Sequence, residues 1–199
     1  MNQESYFVEN LCQNKKCLEI APGIGKFLSV DPSNRTGIEI DNSLCMSLED
    51  NGLKCINADF FKFKVLSKFD ILYSRNFIEH LNPDQLVDFL KKSADLLAPD
   101  GKLILITPVE TVIWRTASHI RPYPPVSLYK LLNSKTENYI RKNQINLTVD
   151  NAYCTFKIKG FRIASRIAFL LFNWLNNGSV MSSSPPFASH YIIILSSTK

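Results

Sequence analysis

The stretch Leu18-Glu19-Ile20-Ala21-Pro22-Gly23-Ile24-Gly25 decides how this chain is read. A short apolar run ends in a Gly-x-Gly turn, and helix-like sequence follows. Glycine lets the backbone approach a ligand closely, and a helix N-terminus presents free N–H groups. Gly-x-Gly alone is weak evidence for any nucleotide. The dinucleotide pattern places a third Gly or Ala three residues further on. Leu28 stands there, which argues against NAD.

Working outward, the same strand-like pattern returns at Gly37–Ile40, Cys55–Ala58, Phe69–Ser74 and Lys102–Thr107. Helical patterns lie between. In Pro83–Leu97, the residues Leu86, Phe89, Leu90, Ala94 and Leu97 recur at i, i+3, i+4 spacing. Asn82 can cap that helix and Pro83 suits its first position. Pro99-Asp100-Gly101 then reads as a turn. Alternating strands and helices predict a parallel sheet covered on both faces. Beyond Pro108 the pattern changes. His119–Pro125 reads as a loop, Val126–Leu132 as a short helix, and Gly160–Ile163 and Tyr191–Leu195 as strands. Asn176–Pro186 reads as a flexible loop or lid. Glu137–Tyr153 shows no clear period.

Acids sit where the strands end. Glu39 lies about 20 residues after Glu19, where a carboxylate can accept from two ribose hydroxyls. Asp59 follows the third apolar run and could accept from an adenine amino group. Glu19, just before the glycine turn, could meet a cationic amine. Three acids in this order suit a ligand with an amino acid, a ribose and an adenine, and suit a pyrophosphate poorly.

Composition narrows the class. The chain has 199 residues, 45% hydrophobic and 21% charged, which fits one globular domain over 1–199 with a core at 16–108 and a C-terminal region at 109–199. No apolar run approaches the ~18 residues that span a bilayer. The N-terminus lacks the pattern of a secretory signal. Five cysteines without a Cys-x-x-Cys pair point to a reduced, cytoplasmic compartment. None of the three histidines sits at ligand spacing from a cysteine, so no metal site is expected. Of the net charge of +5, the stretch Lys130–Arg166 holds more than all, with eight basic residues against Glu137 and Asp150.

These residues resemble the class I S-adenosylmethionine (SAM)-dependent methyltransferases, and among them the type 11/23-like families. LEIAPGIGKFL (18–28) is similar to their glycine-rich first motif, GIEID (37–41) to the ribose-binding strand end, and NADF (57–60) to the adenine-contacting motif. FDILYSRNFIEHL (69–81) and LLAPDGKLILITP (96–108) are similar to the fourth and fifth strand regions. The resemblance implies a Rossmann-like, doubly wound, seven-stranded α/β sheet, mostly parallel with an antiparallel C-terminal strand. It implies SAM as cofactor, held by Glu19, Ala21, Gly23, Gly25, Glu39, Ile40, Asp59, Phe60 and Ser74. Ala21 departs from the commoner glycine, as the smallest replacement.

The first half is also similar to the rRNA adenine dimethylases. Their Asn-(Leu/Ile)-Pro-Tyr motif is absent, because the matching place reads Ser74-Arg75-Asn76-Phe77-Ile78-Glu79-His80. Phe77 is left to stack on a base or to pack in the core. The second half resembles the branch that modifies small molecules and glycans, through Phe77-Ile78-Glu79-His80-Leu81 and Ser118-His119-Ile120-Arg121-Pro122-Tyr123. It implies a small-molecule, lipid or sugar acceptor, methylated at oxygen. A hydroxyl acceptor needs its proton removed, and histidine is the usual base near neutral pH. His119 and His80 are the candidates, with Arg121 and Tyr123 able to orient the acceptor.

About 16 residues precede the glycine motif. Either the acceptor site is open, or the C-terminal region and the loop at 176–186 cover it. The segment 160–175 is basic and apolar, which fits a buried strand and helix, or peripheral contact with the inner membrane face. An RNA methyltransferase is an alternative, although this charge is modest for nucleic acid. A non-catalytic SAM-binding partner subunit is another.

Overall fold

The computed structural model describes residues 3–64, 67–133, 145–156, 167–168, 171, 184–185 and 187–198. Seven strands form one sheet: β1 (Cys17–Ile20), β2 (Arg35–Glu39), β3 (Cys55–Asn57), β4 (Phe69–Arg75), β5 (Leu97–Pro108), β6 (Leu147–Phe156) and β7 (Ala188–Ser197). Their order is β3-β2-β1-β4-β5-β7-β6. β1 to β5 pair in parallel, and β7 runs antiparallel to both β5 and β6. Helices among the described residues include α1 (Gln3–Cys12), α2 (Asn42–Asp50), α3 (Pro83–Leu96), α4 (Glu110–Ile113) and α5 (Pro125–Asn133). The seven-stranded doubly wound sheet with an antiparallel C-terminal strand is thus present.

Alternation along the strands builds two cores. Side chains of a strand point to opposite faces by turns. Leu72, Leu103, Leu105, Ile193 and Leu195 pack on one face with Leu86, Phe89 and Leu90 of α3. Ile71, Tyr73, Ile104, Ile106 and Ile192 pack on the other with Val8 and Cys12 of α1 and Leu48 of α2. Each fully buried leucine or isoleucine contributes about 1.5–3 kcal/mol, so both faces are tightly specified. A capping box starts α3: the Asn82 side chain accepts from the Gln85 N–H, and the Gln85 side chain accepts from the Asn82 N–H.

The residues before the glycine motif form α1, which is tied to the sheet by charge. Arg35 on β2, 2% exposed, donates to both carboxylate oxygens of Glu9, at 3.1 and 2.5 Å, and to the Phe27 carbonyl at 2.7 Å. Arg75 at the end of β4 holds Glu4 through Nε at 2.6 Å.

Two local expectations are revised. Pro99-Asp100-Gly101 does not precede the fifth strand but lies within β5. There the register jumps from Phe69↔Leu97 to Ile71↔Lys102, and Asp100 takes φ +62°. The unplaced segment Glu137–Tyr153 contains most of β6. A register shift between Val149 and Asn151 breaks its alternation, which hid the strand from a period-two reading. The expected strand at Gly160–Ile163 lies outside the described residues. So do most of the loop at 176–186, most of the segment 160–175, and all of the basic residues of Lys130–Arg166 except Lys130. Among the described residues, no helix is long and apolar enough to cross a membrane, and all five cysteines are outside disulfides.

Candidate functional site

The strand order reverses between β1 and β4, and in such sheets ligands bind outside the carboxyl ends of the strands at that point. The glycine turn lies there. Ala21, Gly23 and Gly25 all adopt positive φ, at +55°, +53° and +71°. At Gly25 a Cβ would come within 2.6 Å of both Leu48 Cδ2 and Leu53 Cδ1, so glycine is needed for packing. At Gly23 a Cβ would meet nothing within 4 Å, so glycine leaves an open face over the turn.

Glu19 is buried, and its Oε2 has no hydrogen-bond partner among the described residues. Burial raises its pKa to about 8, against the lowering effect of the Arg35 and Arg75 guanidinium groups. The hydroxyl of Ser74, one strand away opposite Ile20, is likewise buried and unpartnered. Two orphaned polar groups at the ends of the central strands fit a ligand that carries a cationic amine and hydrogen-bonding groups.

The ribose-end acid is held by its own loop. Glu39 Oε1 accepts the Asp41 N–H at 3.0 Å, and Asp41 caps α2 by accepting from Ser43 and Leu44. Asn57, which sequence reasoning did not single out beyond its motif, donates to the carbonyls of Glu39 and Ile40 at 3.1 and 3.2 Å. Its place on the neighbouring strand shows this only once the strands are paired. Ile40 is 71% exposed, an apolar surface beside Glu39. Asp59 accepts the Phe61 N–H at 2.9 Å and lies 3.6 Å from Lys62. The Phe60 ring is buried against Phe89, with centroids 5.3 Å apart.

A second group gathers past the ends of β4 and β5. After Arg75, Asn76 takes φ +55° and donates its N–H to the Ile106 carbonyl at 2.8 Å. A single 3₁₀ turn then carries Ile78–His80. Glu79 is completely buried. Its Oε2 accepts the Thr107 hydroxyl at 3.1 Å, while its Oε1 lacks a hydrogen bond and lies 3.9 Å from His119 Nε2. Burial raises the Glu79 carboxyl above the usual carboxylate range, opposed by hydrogen bonds and by both histidines. His80 Nδ1 is 3.1 Å from the Ser118 carbonyl, and His119 Nδ1 is 2.6 Å from the Ile113 carbonyl. The two imidazoles meet edge to face, 4.8 Å apart.

The loop that carries His119 is pinned here by backbone, since Ile120 N–H donates to the Glu79 carbonyl at 2.8 Å. Tyr123 is buried and donates its hydroxyl to the Leu81 carbonyl at 2.8 Å, so it anchors the loop instead of facing an acceptor. Arg121 remains exposed, with its guanidinium 5.3 Å from the Tyr123 ring. Phe77 packs on Phe89 at 5.5 Å, a core contact.

Residues 18–105 match the family model described as a methyltransferase domain. No curated protein matches the chain in sequence. Among solved structures, a SAM-dependent methyltransferase from Archaeoglobus fulgidus superposes with TM-score 0.62 at 15% identity, over 96% of this chain and 90% of its own. The N-methyltransferase NodS from Bradyrhizobium japonicum WM9, in complex with S-adenosylhomocysteine, gives 0.62 at 10% identity over 99% and 86%. The 1,6-didemethyltoxoflavin-N1-methyltransferase of Burkholderia thailandensis gives 0.61 at 11% over 98% and 76%. At these identities the superpositions show a shared fold, and the family match adds the domain type. Residues 18–105 match a methyltransferase domain, and the chain around them has the Rossmann-like fold of SAM-dependent methyltransferases.

Proposed function

We propose that the enzyme methylates a hydroxyl oxygen of a small acceptor, a sugar or lipid head group included, at the cluster formed by Glu79, His80 and His119. In the proposed complex Glu19 meets the cofactor's amine, Glu39 the ribose, and Asp59 the adenine. Gly23 gives the backbone its close approach, and Gly25 keeps the turn packed. Ala21 and Ser74 border the amino-acid end. Ile40 offers its exposed side chain to the adenine, and Phe60, with its ring in the core, offers its main chain. Bound SAM supplies a methyl group on sulfonium sulfur, already activated for in-line displacement.

The protein's remaining work is positioning and proton removal. A carbonyl oxygen only accepts, so the Nδ1 contacts of both histidines are donations. That leaves each Nε2 as the basic nitrogen. His119 Nε2 faces the buried Glu79 carboxylate, which would stabilise the imidazolium formed when the acceptor loses its proton. The single observation that carries this reading is the unpartnered Glu79 Oε1 placed 3.9 Å from that nitrogen.

The test is methyl transfer from labelled SAM to matched acceptor pairs, hexoses against hexosamines and phenols against anilines. Labelled ether products, lost in His119→Ala, are expected. Product formed only on the amines would overturn the oxygen assignment.

A further inference from the structure

The Glu79–His80–His119 cluster has a feature that a base alone does not require. One ligand-capable atom from each residue, a carboxylate oxygen or an imidazole nitrogen, lies within 4.8 Å of the others. We propose that these three residues hold a divalent cation of the first transition row.

Three observations carry the site. Both histidines donate Nδ1–H to backbone carbonyls, of Ser118 and Ile113, which fixes the tautomer that presents an Nε2 lone pair. Metal-binding histidines are oriented in this way, with the second ring nitrogen tied to a carbonyl or carboxylate. The carboxylate is tied likewise: Thr107 holds Glu79 Oε2, and Oε1 is buried without a hydrogen bond beside His119 Nε2. A buried unsatisfied carboxylate oxygen is costly, and a cation would satisfy it.

The donor set selects the ion. Imidazole suits zinc, iron, cobalt and nickel, whereas magnesium and calcium prefer oxygen alone. Bond lengths of about 2.0–2.2 Å put neighbouring ligand atoms roughly 3–3.5 Å apart, so the cluster closes on the ion by little more than an ångström. Two histidines and one carboxylate leave coordination positions open. Those positions would take oxygens of the acceptor, best of all two adjacent hydroxyls. The ion would then lower the hydroxyl pKa in place of a free His119 nitrogen. This role rests on the hydroxyl reading above, while the binding site itself does not. The histidine and glutamate are brought together by the fold, since 39 positions separate His80 from His119, and no ligand spacing announces them.

The experiment is titration of chelator-stripped protein with Co2+ alone, read by its visible absorption, beside a separate titration with S-adenosylhomocysteine. The parent is expected to take up one equivalent of Co2+. Glu79→Gln and His119→Ala are each expected to weaken that uptake at least about tenfold, with S-adenosylhomocysteine bound as in the parent. Parent protein that binds S-adenosylhomocysteine and gives no Co2+ spectrum would overturn the site. So would variants that take up Co2+ as the parent does. Co2+ uptake without S-adenosylhomocysteine binding would leave the cation site standing and sink the methyltransferase reading instead.

Discussion

Thr107 donates its hydroxyl to one oxygen of Glu79 at 3.1 Å, and the other oxygen of that carboxylate is left facing His119. The two residues sit on different elements, Thr107 near the end of β5 and Glu79 in the 3₁₀ turn after β4. Pairing of those two strands therefore aims the carboxylate. Thr107→Val removes the hydroxyl donor to Oε2 of a buried carboxyl whose Oε1 already lacks a hydrogen bond. A stability loss of about 1–3 kcal/mol is expected, read as a lower melting temperature. Acceptor turnover should fall further than this loss explains, with binding of S-adenosylhomocysteine unchanged.

Burial keeps Glu19 protonated near neutral pH, with its pKa raised to about 8. In the unfolded chain it titrates near the ordinary value of about 4.3. Between those two values the folded protein binds more protons, so its stability declines as pH rises from about 4.3 and levels off above about 8. A cofactor amine at Glu19 requires the ionised form. Binding of S-adenosylhomocysteine at pH 7 should therefore release protons and tighten as pH rises toward 8. Calorimetry in buffers of different ionisation enthalpy measures the release, and Glu19→Gln should abolish it.

Ala21 carries a left-handed backbone, φ +55°, that costs a non-glycine residue about 1–2 kcal/mol. Ala21→Gly relieves that strain against a smaller unfolded-state entropy cost of about 0.5–1 kcal/mol. A net gain near 0.5 kcal/mol is expected, visible in denaturant melts. Gly25→Ala should do the reverse. It adds the same strain and drives a Cβ into Leu48 and Leu53, for a loss of about 2–4 kcal/mol.

The ion pair under α1 is predicted to hold that helix on the sheet. Glu9→Gln leaves the Arg35 guanidinium, 2% exposed, without its counter-charge. Breaking a buried pair from one side costs about 3 kcal/mol or more. Replacement of both residues, Glu9→Leu with Arg35→Met, should recover much of that loss. Thermal denaturation of the single and double variants compares them.

The positions proposed to hold the cofactor were legible in the sequence because they lie at or just past strand ends: Glu19 and Glu39 in the last two residues of β1 and β2, Gly23 and Gly25 in the turn after β1, and Asp59 just beyond β3. Three things were not legible. The role of Asn57 in bracing Glu39 depends on β2 pairing with β3. The seat of Tyr123 in the core depends on Leu81 accepting its hydroxyl across 42 positions. The convergence of Glu79, His80 and His119 depends on a loop returned over the end of β4 by the Ile120-to-Glu79 backbone bond. Local periodicity carries none of these. It also failed for β6, where a bulge interrupts the alternation.

Binding of the cofactor at the strand ends is the claim on which the rest depends. The most direct test is calorimetric titration of the chain with S-adenosylhomocysteine, in parallel with Glu39→Ala. The account predicts ~micromolar binding by the parent. It predicts a loss of about 10–100-fold in the variant, the worth of the charge-assisted hydrogen bonds to the ribose. Absence of binding by well-folded parent protein, or equal binding by parent and variant, would contradict it.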